Sequence, residues 1–113
     1  MMTSTLELVQ FKLISGKTDA DLAATNESIS EFLNEQNGFI YRSLSQREDG
    51  TYVDIVYWEN LESAKAASEA LMTDPRGQAM IALCDADSVS MEHLPITSEI
   101  MSASMSQDAE AVA

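Results

Sequence analysis

An α+β domain built on one four-stranded antiparallel sheet is the fold class this sequence predicts. Strand-like and helix-like segments follow one another in the order βαββαβ, and an Asp-Gly turn joins the middle two strands. The first and third strand segments carry apolar side chains on both faces, as strands inside a covered sheet do. A chain of 113 residues fits one domain, and 45% hydrophobic residues are enough for a core.

The first strand is expected over Thr5 to Ile14 (TLELVQFKLI), with Leu6 and Leu8 on one face and Val9, Phe11 and Leu13 on the other. Ser15-Gly16-Lys17 turns the chain. Thr18 then caps a helix, with Asp21 completing a capping box and Asp19 favouring the positive end of the helix dipole. Leu22, Thr25, Ile29, Phe32, Leu33 and Gln36 recur at helical spacing, and Asn37-Gly38 ends the helix.

The second strand is expected over Phe39 to Gln46 and the third over Thr51 to Trp58, joined through Arg47-Glu48-Asp49-Gly50. Asn60 caps a second helix whose inward stripe is Leu61, Ala64, Ala67, Ser68 and Leu71. Thr73-Asp74-Pro75 interrupts it, and Asp74 as cap with Pro75 in the first position restarts a shorter helix through Cys84. The last strand lies within Ser88 to Leu94, and Pro95 ends it or marks an edge.

This order gives a ferredoxin-like sheet with both helical segments on one face. The uncovered face is then Leu6/Leu8/Val56/Trp58 or Val9/Phe11/Val53/Ile55/Tyr57. Either set is more apolar than a monomer usually leaves in water, so a twofold homodimer formed face to face is expected. Residues 1–97 make up the domain. Residues 98–113, rich in Ser, Ala and Met, read as a flexible acidic tail, with a short strand or arm on a partner subunit at Ile96 to Met101 as the rival reading.

Acidic side chains number 19 against 6 basic ones, a formal charge of −13. That balance excludes binding to nucleic acid and to anionic membranes, which need a basic face. The single cysteine, Cys84, excludes an internal disulfide and a multi-cysteine zinc site. No apolar run approaches the roughly 18 residues of a membrane span, and Met1-Met2-Thr3-Ser4 lacks the features of a signal peptide; a cytoplasmic location is expected. Phosphate loops, nucleophile elbows and paired-carboxylate spacings are also missing from the sequence.

ELVQFKLISG, NGFIYRSLSQREDGTYVDIVYWENLESAKAA and the helix broken at Thr73-Asp74-Pro75 together resemble the antibiotic-biosynthesis-monooxygenase-like family of the dimeric α+β barrel superfamily. Gly38, Trp58-Glu59 and the alanine-rich helix before Asp74-Pro75 carry the resemblance, which spans about Thr5 to Leu94. It implies a homodimeric barrel with a small-molecule cavity between sheet and helices. Haem-degrading relatives use an asparagine on the first strand and a tryptophan and a histidine on the second helical segment. Thr5 to Ile14 contains no asparagine, and Leu61 to Cys84 contains neither tryptophan nor histidine, which disfavours that chemistry.

What remains implied is a small-molecule-binding protein. If it is an enzyme, it is a cofactor-independent monooxygenase acting on an aromatic or quinol-type substrate. The alternative is a non-enzymatic ligand-binding or structural dimer. No metal and no organic cofactor is expected. His93, the one histidine, is the candidate base for a phenolic proton, against the plainer role of a strand residue at the sheet edge. Trp58, Tyr41, Arg42 and Tyr57 are candidates for the walls of the ligand pocket. Trp58 could equally pack the strand-to-helix turn, and Arg42 either clamps a carboxylate or bridges to Asp54. Cys84, near Asp85 and Asp87, reads as a small buried hydrophobe and not as a reactive thiol.

Overall fold

The computed structural model describes residues 4–103. Four strands, β1 (Thr5–Phe11), β2 (Phe39–Gln46), β3 (Tyr52–Trp58) and β4 (Ser90–Pro95), form one sheet in the order β2-β3-β1-β4. Every neighbouring pair is antiparallel, so the sheet is the ferredoxin-like one that the element order demands. The β2–β3 hairpin turns at Gly50 (φ +93), with the Arg47 amide donating to the Thr51 carbonyl at 2.7 Å and Asp49 accepting from the Thr51 amide at 2.9 Å.

The first helical segment is two helices, α1 (Asp19–Ala23) and α2 (Asn26–Asn34), where the periodicity predicts one. Thr25 makes the break. Its amide reaches back three residues to the Leu22 carbonyl, and its hydroxyl donates to the same oxygen at 2.7 Å, tightening that turn. Thr18 forms the expected capping box with Asp21. The second segment is α3 (Leu61–Thr73), capped by Asn60, then α4 (Pro75–Ile81), capped by Asp74.

Three boundaries differ from expectation. β1 stops at Phe11, and beyond it Leu13 forms only an isolated bridge to Cys84. α4 stops at Ile81, where tight turns take over. A 3-10 turn over Ala86–Ser88 delays β4 to Ser90. Ser98 to Ala103 is exposed and forms no strand, while the remainder of the expected tail, 104–113, lies outside the described residues.

The helices cover the face that carries Tyr52, Asp54, Val56 and Trp58 on β3. The register pairs Thr5 with Trp58, Glu7 with Val56, Val9 with Asp54 and Phe11 with Tyr52, so these four β1 residues share that face. The grouping read from sequence is therefore corrected. Leu6 and Leu8 belong with Tyr57, Ile55 and Val53 on the helix-free face, and Val9 and Phe11 belong with Val56 and Trp58 inside. The core joins Phe11, Leu22, Ile29, Phe32, Tyr52 and Trp58, with Phe11 and Tyr52 stacked at 5.4 Å.

Two close approaches fix the helices. Gly38 (φ +82) leads into β2, and a Cβ there would sit 2.5 Å from the Ser63 hydroxyl of α3. At Gly77 a Cβ would meet the Leu71 carbonyl oxygen at 2.2 Å, so only glycine lets α4 lie this close to α3. Arg76 then ties α4 to α2. It makes paired hydrogen bonds of 2.8 Å to Glu35, bonds Asp74, and lies 5.5 Å above the Phe32 ring.

The Arg76 cluster has a pH signature. Hydrogen bonds from the Arg76 side chain and then its backbone amide hold Asp74 down from 3.8 to about 2. The Arg76 side chain likewise lowers Glu35 from 4.5. Folded values below unfolded ones mean stability that is present above about pH 4.5 and is lost as pH falls through the folded values. Relief of repulsion among the surplus acids works in the opposite direction, so a single acid titration mixes the two effects. The informative quantity is the gap in thermal midpoint between wild type and Arg76→Gln. It is expected to be full at neutral pH and to close as pH falls toward about 2. A gap that stayed constant on acidification would contradict the assignment.

Candidate functional site

Between the covered sheet face and α2, α3 and α4 lies a cavity of about 260 Å³. Its wall is mostly apolar, built from inward residues of β1 and β3 and from Leu71 and Met80 of the helices. Alanines at 64 and 67, both buried, keep α3 near the sheet without filling the space. Four kinds of polar group interrupt the wall.

The first is the pair Arg42–Asp54. Arg42 Nε donates to Asp54 Oδ1 at 2.9 Å and Nη2 donates to Oδ2 at 2.8 Å. Both side chains are nearly buried, at 12% and 10% exposure, so the bridge alternative for Arg42 is the one realised. The pair is a closed fork in which each group satisfies the other. The second is Glu7, which accepts on Oε1 from the Ser68 hydroxyl at 3.1 Å and lies 2.9 Å from His93 Nε2.

The third group is Trp58, only 1% exposed. It lines the cavity, and its indole N–H is buried with no hydrogen-bond partner among the described residues. The fourth is Cys84, whose thiol is pushed up by burial and then by the charge of Asp54, so it stays protonated at neutral pH.

The residues expected at a pocket are thus divided by the sheet. Trp58 and Arg42 line the cavity. Tyr41 and Tyr57 lie on the opposite, helix-free face, with ring centroids 5.9 Å apart. His93 shares the cavity's side of the sheet but stands behind Glu7, its register partner, and is not part of the wall. Glu7 is the residue that sequence reasoning passed over. Its signal was present: an acid at the same strand parity as Val9 and Phe11, as unusual there as Asp54 is in β3.

A second depression, between the end of α2 and the start of α3, is polar and open, and its main groups are already used. Asn60 caps Ser63, and Glu35 holds Arg76. Among the described residues no three His, Cys, Asp or Glu side chains gather as a metal-binding group, and no helix is long and apolar enough to cross a membrane.

No family model matches the chain, and no curated protein matches it in sequence. Solved structures do match in fold. A variant of SnoaB, a cofactor-independent oxygenase from Streptomyces nogalater, aligns at 17% identity with a TM-score of 0.70, over 87% of this chain and 97% of its own. A protein from Bordetella bronchiseptica, provisionally described as an antibiotic biosynthesis monooxygenase, aligns at 13% identity and TM-score 0.71, over 86% and 100%. A dimeric ferredoxin-like protein of unknown function from Jannaschia sp. CCS1 aligns at 16% and 0.62, over 82% and 99%. The chain shares the fold of these proteins, a four-stranded antiparallel sheet of ferredoxin-like order covered by helices on one face. At such identities the likeness shows the fold alone, and chemistry has to be argued from the cavity.

Proposed function

We propose that this protein binds a small aromatic molecule in the cavity, works as a homodimer, and oxygenates a hydroxylated or quinol-type ring with dioxygen and no resident cofactor. The observation that carries the reading is the Trp58 indole N–H, buried in a cavity wall without a partner among the described residues. Leaving such a donor unpaired costs about 1–3 kcal/mol, which a ligand oxygen would recover. An apolar cavity of about 150 Å³ accepts benzene, and drug-sized ligands need roughly 300–1,000 Å³. About 260 Å³ therefore suits one or two fused rings.

The chemistry follows from the same wall. Removing a proton from a ring hydroxyl leaves an electron-rich anion that reacts directly with dioxygen. The ring supplies the two electrons and two protons, so that one oxygen atom enters as a quinone carbonyl and the other leaves as water. The Trp58 N–H can hold the anionic oxygen in a site of low dielectric, where such a bond is strong. Arg42, closed on Asp54, contributes positioning and no free charge. Proton removal falls to the Glu7–His93 pair. SnoaB, named as a cofactor-independent oxygenase, lends this reading a precedent on the same fold.

The homodimer is argued from the helix-free face. Leu6, Leu8, Val53, Ile55 and Tyr57 are only partly covered in the protomer, and Tyr41 and Leu94 are 52% and 39% exposed. A second copy meeting this face would bury all of them, with Tyr41 and Tyr57 serving there instead of at the ligand.

Trp58 is the only tryptophan, so its fluorescence reports the cavity directly. Titration with 1-naphthol is expected to quench it saturably, with a Kd on the order of 10 μM. Failure to saturate would remove the cavity as a binding site. Saturable binding of a panel of hydroxynaphthalenes and naphthoquinols with no oxygen uptake at an electrode would leave a ligand-binding protein and remove the oxygenase.

A further inference from the structure

Glu7 stands on the cavity wall with a side chain only 13% exposed, and its two contacts both fall on one oxygen. His93 Nε2, at 2.9 Å, and the Ser68 hydroxyl, at 3.1 Å, converge on Oε1. Oε2 makes no hydrogen bond to any other described residue. The cavity's second acid is different, because both oxygens of Asp54 are taken by Arg42. We infer that Glu7 is the residue that receives a hydroxyl of the bound ring, so that the cavity selects hydroxylated over O-alkylated aromatics, with His93 as its positioning residue. The inference rests on the ligand-binding reading above and deepens it.

An ionised carboxylate accepts hydrogen bonds and donates none. A ring that presents an O–H to Oε2 gains a charge-assisted bond, whereas a methyl ether in the same place covers the oxygen and pairs it with nothing. Where the ligand is acidic enough, the proton completes the transfer. The ligand O–H bond breaks, an O–H bond forms at Glu7 Oε2, and the electron pair stays on the ligand oxygen.

His93 is placed to support this from behind. It sits on β4, directly across from Glu7 in the β1–β4 register, and Ser68 approaches from α3. With Nε2 as the N–H donor, both neighbours hold Oε1 and leave Oε2 as the oxygen of this wall residue still open to a ligand hydroxyl. The remaining charged groups on the wall, Arg42 and Asp54, neutralise each other.

Calorimetric titration of the full chain at neutral pH with 1-naphthol and with 1-methoxynaphthalene tests the assignment. Wild type is expected to prefer the naphthol by about tenfold or more, the equivalent of one hydrogen bond to a charged group. Glu7→Leu should abolish the preference and leave the affinity for the ether unchanged or tighter. Glu7→Gln, which keeps size and the Ser68 contact, should reduce the preference and guards against a folding failure of the leucine variant. His93→Gln should weaken the naphthol alone, a change in the ratio of two ligands that a merely structural role would not produce. Equal binding of the two ligands to wild type, or a full preference retained in both Glu7 variants, overturns the assignment while sparing the cavity. Binding of neither ligand to wild type overturns the cavity reading and this one with it.

Discussion

Arg42→Ala is expected to cost about 3–5 kcal/mol of folding stability, the range for breaking a buried ion pair from one side. The reason is the partner left behind. Asp54 is 7% exposed, sits on a strand between Val53 and Ile55, and has Arg42 as its ion-pair partner. Removing the guanidinium leaves a largely buried carboxylate without its ion-pair partner, and the thermal midpoint should drop by about 15 °C. The double variant Arg42→Leu with Asp54→Leu removes both charges and should recover most of that loss, since apolar replacements of such pairs are often neutral. Urea unfolding at neutral pH would measure all three proteins. A loss below about 1 kcal/mol in the single variant would mean that Asp54 has water or another donor close by.

Ile55→Asp is expected to split the proposed dimer. Ile55 lies at the middle of β3, opposite Leu8, on the face free of helices. Its side chain is already partly exposed in the protomer, so the charge has access to water there and the fold should persist. In a face-to-face dimer the same charge, and its twofold copy, would be buried unpaired. The dissociation constant should rise by about a thousandfold or more. Light scattering should find twice the 12.3 kDa chain mass for wild type and 12.3 kDa for the variant, with unchanged circular dichroism. A wild type at 12.3 kDa at micromolar concentration, or a variant that remained paired, would remove the interface.

The topology was legible in the sequence because local signals agreed with one another. Thr18, Asn60 and Asp74 all cap the helices they were expected to cap, and Gly50 turns the expected hairpin. What stayed hidden depends on pairing between distant segments. β1 has leucines on one face and valine and phenylalanine on the other, so parity alone gives no preference for either face. Only the β1–β3 register assigns Val9 and Phe11 to the interior. The break at Thr25 was hidden for a local reason, since a single hydroxyl bond to Leu22 outweighs an otherwise continuous helical period. At the site, Trp58 and Arg42 stood out by residue type. Tyr41 and Tyr57 stood out in the same way and lie across the sheet from the cavity, and Glu7, which lines it, was masked by its neighbours Leu6 and Leu8.

The joint between α3 and α4 has a kinetic consequence for any molecule that uses the cavity. Lifting α4 would break the two side-chain hydrogen bonds that Arg76 makes to Glu35 at the end of α2. It would also pull apart the contact of Gly77 with Leu71. The rim beside that joint is softer. Met72 and Ile81 both border the cavity and are 61% and 38% exposed, so they are free to change rotamer. Such side-chain hops take picoseconds to nanoseconds, against microseconds or longer for helix displacement. Ligand traffic past this rim is therefore a matter of side chains stepping aside, and its rate should follow ligand concentration without the plateau that a slow lid would impose.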